Sequence, residues 1–173
     1  IFEILEKSTV QKNGKNLGHL EKNTRTPNAR FFREPGPDTA IERHAWRKKA
    51  TNSLVGSDLV FFDPDNGVEV QSKPFGKKDS SKYVFWEELH AVWNRNTSLL
   101  IYQHFPREKR SVYIPRIAQE ITKRLDRSTV IPLKAANVLF LLAHRPSAQP
   151  KIETAIRLIE RRWGERVKRY LWS

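Results

Sequence analysis

The stretch that most narrows what this chain can fold into is SDLVFFDPDNGVEV, residues 57–70. Leu59, Val60, Phe61 and Phe62 are apolar and β-favouring without alternation, the pattern of a strand buried on both faces in a parallel sheet. The run stops abruptly at Asp63-Pro64-Asp65-Asn66-Gly67, two carboxylates and an amide beside a proline and a glycine. Such a turn is either a sharp exit from the sheet or a sheet edge that presents chemistry, because ligands of open α/β sheets bind at the carboxyl ends of the strands. A second apolar run, LLIYQHFPR, ends in Gln103 and His104. If the two strands are neighbours, these polar clusters lie side by side, and one of them carries a histidine, a residue type suited to proton transfer.

The remaining periodicities place these strands in an α/β domain. The pattern predicts a helix over 1–8, a basic loop-rich segment over 9–38 with a short strand at 29–32, and a helix capped by Thr39 running to about 54 with Ile41, Ala45, Trp46, Lys49 and Leu54 along its sides. It then predicts a strand at 58–62, a polar loop over 63–82, a helix over 86–95, a strand at 98–103 and a helix over 109–127. Two strands at 129–133 and 138–143 are close enough for a hairpin, and a helix at 148–163 and a strand at 166–171 follow. This order argues for one α/β domain over 1–173 with a mostly parallel sheet and antiparallel strands at the C-terminal end.

The partner is read from charge. Thirty-two Lys and Arg against 19 Asp and Glu give a formal net charge of +13 in 173 residues, and such a surface attracts polyanions, so nucleic acid, RNA or DNA, is the expected partner. The chain has no cysteine, which excludes disulfides, thiolate metal sites and a cysteine nucleophile. No apolar run is long enough for a membrane span, and a cytoplasmic location is the expectation. Methionine is absent as well, position 1 included. We therefore expect a sequence that is N-terminally incomplete, or one from which modified methionines or segments are missing.

The segment LVFFDPDNG resembles motif IV of class I S-adenosylmethionine-dependent amino-methyltransferases, where Asp/Asn/Ser-Pro-Pro-aromatic stands at a strand tip. The later NVLFLLAHRP and QPKIETAIRLIERRW are similar to the C-terminal half of bacterial adenine-N6 methyltransferases that act on large-subunit ribosomal RNA, and the likeness spans roughly residues 55–165. The chain also resembles a group of bacterial proteins sharing Asp-Pro-Asp-Asn-Gly, Ser-Lys-Tyr and Tyr-Gln-His-Phe-Pro-Arg. The methyltransferase resemblance implies a Rossmann-like sheet, S-adenosylmethionine as donor and an exocyclic base amine as acceptor. In that chemistry Asp63 accepts hydrogen bonds from the amine of an extruded base and Pro64 holds the turn. Asp65 stands where the family has its second proline and Asn66 where it has the ring that stacks on the base; Phe62, Tyr83 and Tyr102 are the rings available to replace it. The Gly-rich turn that receives the donor has no counterpart here, since Gly14 and Gly18 follow no strand.

The expected catalytic set is therefore Asp63, Pro64, Asp65, Asn66 and His104. Gln103 completes the pocket, and Lys73, Lys77, Lys78, Lys82, Tyr83, Tyr102 and Arg107 bind substrate at its mouth. Two other chemistries compete. Pro64-Asp65 with Glu69, Gln71 and Lys73 resembles a nuclease arrangement in which paired carboxylates hold Mg²⁺, although Gln71 occupies the place of the assisting lysine. KPFGKKDSSKYVFW, with Phe75, Phe85 and Trp86 among lysines, suits a non-catalytic nucleic-acid-binding module. The helix carrying Arg157, Arg161 and Arg162 beside Ile156, Ile159 and Trp163 reads as an amphipathic element packed on the sheet.

Overall fold

The computed structural model describes residues 29–164 and 166–171. The chain divides into two compact units, 1–33 and 34–173. Of the first, residues 29–33 are described, and they form no strand, in contrast to the expected one at 29–32. The helix expected over 1–8 lies outside the described residues.

Among its described residues the second unit contains four α-helices: α1 (Ala40–Ser53), α2 (Trp86–Trp93), α3 (Arg110–Arg124) and α4 (Gln149–Trp163). Its strands are β1 (Leu59–Phe62), β2 (Gly67–Val68), β3 (Tyr83–Val84), β4 (Ser98–His104), β5 (Thr129–Ala135), β6 (Val138–His144) and β7 (Val167–Arg169). Five strands form one sheet in the order β1-β4-β6-β5-β7, and β2 and β3 form a short parallel pair of their own. The α/β class and the antiparallel C-terminal end agree with the sequence reading. The mostly parallel sheet does not: within the five-stranded sheet only β1 and β4 run parallel, and β4–β6, β6–β5 and β5–β7 are all antiparallel.

The reason lies in the connections. A parallel neighbour needs a crossover, which α2 supplies between β1 and β4. Ala136 and Asn137 are too short for anything but a hairpin, so β6 returns antiparallel and enters the sheet between β4 and β5. Pro132 is tolerated inside β5 because β7 stops short of it: the Pro132 carbonyl accepts from the Tyr170 N–H just past the end of β7, and the donor that proline lacks points to the same side.

The main core lies between one face of the sheet and α2 and α3. Val60, Leu99, Ile101, Leu139, Leu141 and Ala143 meet Leu89, Val92 and Trp93 of α2 and Ile114, Ile117 and Ile121 of α3. Burying each such Leu or Ile contributes on the order of 1.5–3 kcal/mol. On the other face, Ile156 of α4 covers Ile131, Leu133 and Leu142 at the β5–β6 end. That helix leaves β1 uncovered, so Leu59 is 45% and Phe61 51% exposed. The apolar run over 59–62 thus marks an outer strand with one buried face rather than a strand enclosed on both sides.

Helix α1 also departs from expectation. Ile41 is 86% exposed, and the buried residues are Arg43 and Thr51. The helix is docked by polar contacts rather than by an apolar stripe. The Arg43 guanidinium, 2% exposed, meets the Glu88 carboxylate through Nε at 2.7 Å and Nη2 at 3.0 Å. It also donates to the carbonyls of Ser80 and Tyr83, and it lies over the Phe85 ring at 4.7 Å.

Candidate functional site

The register brings the two polar strand ends together. Phe62 is level with Ile101 in the parallel β1–β4 pair, so Asp63 comes level with Tyr102 as the chain leaves the sheet. The Tyr102 hydroxyl is 3.3 Å from His104 Nε2, and the two rings meet edge-on at 5.2 Å. Tyr102 also contacts Phe140 edge-on at 5.7 Å. Tyr102 and His104 thus meet at the carboxyl end of β4, and Asp63 follows the end of its parallel neighbour β1, close enough for its charge to act on Tyr102.

Asp63 is exposed to solvent, and local desolvation, followed by the charge of Asp65, pushes its pKa up, so its carboxylate binds a proton more readily than a free aspartate. Tyr102 is raised too, first by burial and then by the negative charge of Asp63. Lys82 sits close enough to feel Asp65, although its main partner is Asp79, which raises its pKa by hydrogen bond and charge.

Gln103 has a different task from the one expected. Alternation along β4 turns it away from Tyr102 and His104, and it is 5% exposed. Its Oε1 accepts from the Val68 N–H at 2.9 Å, and its Nε2 donates to the carbonyls of Asn66 at 3.1 Å and His104 at 3.0 Å. All its polar atoms are occupied in fastening the Asp63–Gly67 turn to β4. Gly67 makes this possible. Its φ is +114°, and a Cβ there would collide with the Gln103 amide. Asn66 is fixed through its backbone, donating to the Lys82 carbonyl at 2.9 Å and accepting from the His104 N–H at 3.3 Å.

The expected lysines separate into two pairs. Lys73 and Lys82 both reach Asp79, at 3.1 and 2.9 Å, and Asp79 has a left-handed φ of 66°. Lys77 and Lys78 are exposed, as is Arg107 beyond the end of β4. Phe62 packs against the main core, which leaves Tyr102 as the ring beside Asp63. Tyr83 is half-buried, and its carbonyl is held by Arg43. Pro64 is half-buried within the turn. Glu69, the second carboxylate of the nuclease arrangement, accepts from the Trp86 N–H at 2.9 Å and so caps α2. Among the described residues no group of three or more His, Cys, Asp or Glu is arranged to hold a metal ion.

The chain matches no family model, no curated protein and no solved structure. Two supporting residues escape any sequence reading. The Asp38 carboxylate accepts from the N–H groups of Ser81 at 2.7 Å and Asp79 at 2.9 Å and, at 3.5 Å, from the Ser80 hydroxyl, and these bonds, Ser81's foremost, hold its pKa down at about 2. From the other side Arg43 holds the Ser80 and Tyr83 carbonyls. Together they fix the segment that carries Lys82. In the sequence Arg43 is one of several cations in ERHAWRKK; only its match to Glu88, 45 positions away, distinguishes it.

Among the described residues no helix is long and apolar enough to cross a membrane.

Proposed function

We propose that the protein acts on nucleic-acid bases in the manner of amino-methyltransferases, with an exocyclic base amine donating to the Asp63 carboxylate beside the Tyr102 ring. The observation that carries this reading is the position of Asp63 level with Tyr102 at the carboxyl ends of a parallel strand pair, where α/β sheets bind ligands. Asp63's raised pKa makes it a stronger acceptor for an N–H. Tyr102 supplies an aromatic surface where the resemblance places a ring at position 66. The basic surface favours a polyanionic substrate. A parallel pair followed by an antiparallel end is also what the Rossmann-like resemblance implies for its C-terminal part, and that relation belongs to the same proposal.

S-adenosylmethionine would supply the methyl group. The described residues do not fit it: a Cβ at Gly67 would meet Gln103 and one at Gly76 would lie 2.8 Å from Ala40 Cβ, while Gly56 precedes β1, at the end opposite Asp63. Among the described residues no glycine-lined cradle opens beside the cluster. This favours a second reading, a base-binding protein without catalysis.

The test measures binding of labelled single-stranded oligonucleotides that carry adenine or amine-free purine at one central position. We expect the amine to improve affinity about three- to tenfold, and Asp63→Asn to abolish the preference. Equal binding of both oligonucleotides, unchanged in Asp63→Asn, would overturn the proposal. Radiolabelled methyl transfer from S-adenosylmethionine to the adenine oligonucleotide separates enzyme from binding protein.

A further inference from the structure

A second feature shares no residue with the Asp63 cluster. Helices α1 and α2 are joined by polar clasps at both ends. At one end Arg43 meets Glu88 and Arg47 meets Glu87; at the other Arg95, just past α2, donates to the Thr51 carbonyl at 2.7 Å and to Asn52 Oδ1 at 3.4 Å. Between the clasps the helices leave an open groove of about 730 Å³, lined along α1 by His44, Arg47, Lys48 and Thr51 and along α2 by Glu87, His90 and Asn94. Positions 44, 47, 48 and 51 follow one another at helical spacing on one side of α1, where a packed helix pair would ordinarily place its apolar stripe.

The lining carries three fixed cations, Arg47, Lys48 and Arg95, against the single carboxylate of Glu87, a surplus of two before either histidine is protonated. Arg47 is oriented by Glu87 and by a 3.3 Å contact to His44 Nδ1. Arg95 is oriented by the C-terminal turn of α1. Lys48 is exposed. The side-chain amides of Asn52 and Asn94 add neutral N–H donors, while the Thr51 hydroxyl already donates to the Arg47 carbonyl at 2.7 Å. A cationic groove furnished in this way matches the phosphodiester backbone of a nucleic acid, which such side chains contact without regard to sequence.

We propose that the α1–α2 groove binds backbone phosphates of the nucleic acid, as an anchoring surface separate from the site that reads the base. This rests on nucleic acid being the partner, although not on Asp63 being the base acceptor. The probes are a labelled 12-nucleotide single strand and its duplex, titrated against the full chain at several salt concentrations. We expect Lys48→Ala and Arg47→Ala each to weaken binding severalfold for every sequence tested. Each should also lower the slope of log affinity against log salt by roughly 0.7 for the single strand and 0.9 for the duplex. Lys48→Arg should restore the slope. Asp63→Asn should leave the slope unchanged and alter base preference alone, so either site can fail while the other stands. Because Arg47 is paired with Glu87, thermal unfolding of each variant separates a binding loss from a folding loss. Lys48→Ala with an unchanged salt slope would overturn the proposal. So would an acidic peptide that competes for the groove while nucleic-acid binding is unaffected by Lys48→Ala, and so would failure of the chain to bind either oligonucleotide.

Discussion

At the scale of single residues, the turn after β1 depends on an exchange between Gly67 and Gln103. The glycine takes a backbone conformation that side-chain-bearing residues avoid, and it leaves the space that the glutamine amide fills to bond Val68, Asn66 and His104. Gly67→Ala adds both conformational strain and a collision, and we expect it to destabilise the protein by about 1–3 kcal/mol in chemical denaturation. Gln103→Ala removes the collision but strands the buried Val68 N–H, a cost of similar size. The double variant should therefore lose less than the two single losses added together, and strict additivity would disprove the exchange. The sequence disclosed only part of this. Asp63 and His104 were expected at neighbouring strand ends, and the parallel pairing of β1 with β4 places those two ends side by side. The opposite orientation of Gln103 was readable too, since alternate residues on a strand face opposite ways. Its partners were not, because β2 has only two residues and carries no pattern of its own.

At the scale of elements, each long periodic segment of the second unit, from α1 to β7, could be located from sequence, whereas the two-residue strands β2 and β3 could not. Burial was misjudged where side-chain pairing replaces hydrophobicity. Helix α1 is attached through Arg43 rather than Ile41, and an arginine that is buried in a bidentate bond looks, in a sequence, like one that is solvated. Arg43→Ala leaves the Glu88 carboxylate, 4% exposed, without its partner and frees the Ser80 and Tyr83 carbonyls. We expect a loss of about 3–5 kcal/mol, read as a lower denaturation midpoint. Changing Arg43 and Glu88 together to methionine and leucine should recover only part of it, because the Ser80 and Tyr83 carbonyls and the Phe85 N–H, which donates to Glu88 at 2.9 Å, stay without partners. If Arg43→Ala instead melts with the parent, α1 is held by other contacts.

At the scale of the whole molecule, carboxylates with depressed pKa values govern behaviour in acid. Asp38 falls from 3.8 to about 2, and Asp79 and Glu153 are lowered by Lys82 and Arg169 respectively. For such groups the stabilising contribution is intact above the unfolded-state value and is lost as pH falls through the folded-state value. For Asp38 the loss spans about pH 4 to 2. Asp63, shifted upward, acts in the opposite sense: its folded form binds the proton more tightly, so its contribution declines as pH rises. Circular dichroism across this range should show Asp38→Ala unfolding at higher pH than the parent, while Asp63→Asn should raise the melting temperature slightly at neutral pH. Identical acid transitions for Asp38→Ala and the parent would contradict the role given to Asp38.

The position of β6 has a further consequence, for the order in which the molecule is assembled. The strand that joins β4 to β5 is synthesised after both of them, so until residues 138–144 leave the ribosome a growing chain carries the β1–β4 pair with an open edge and β5 with no strand beside it. A nascent chain stalled ahead of that point should be open to proteases and prone to sticking to its neighbours, and this exposure should close in two steps, first with β6 and then with α4 and β7.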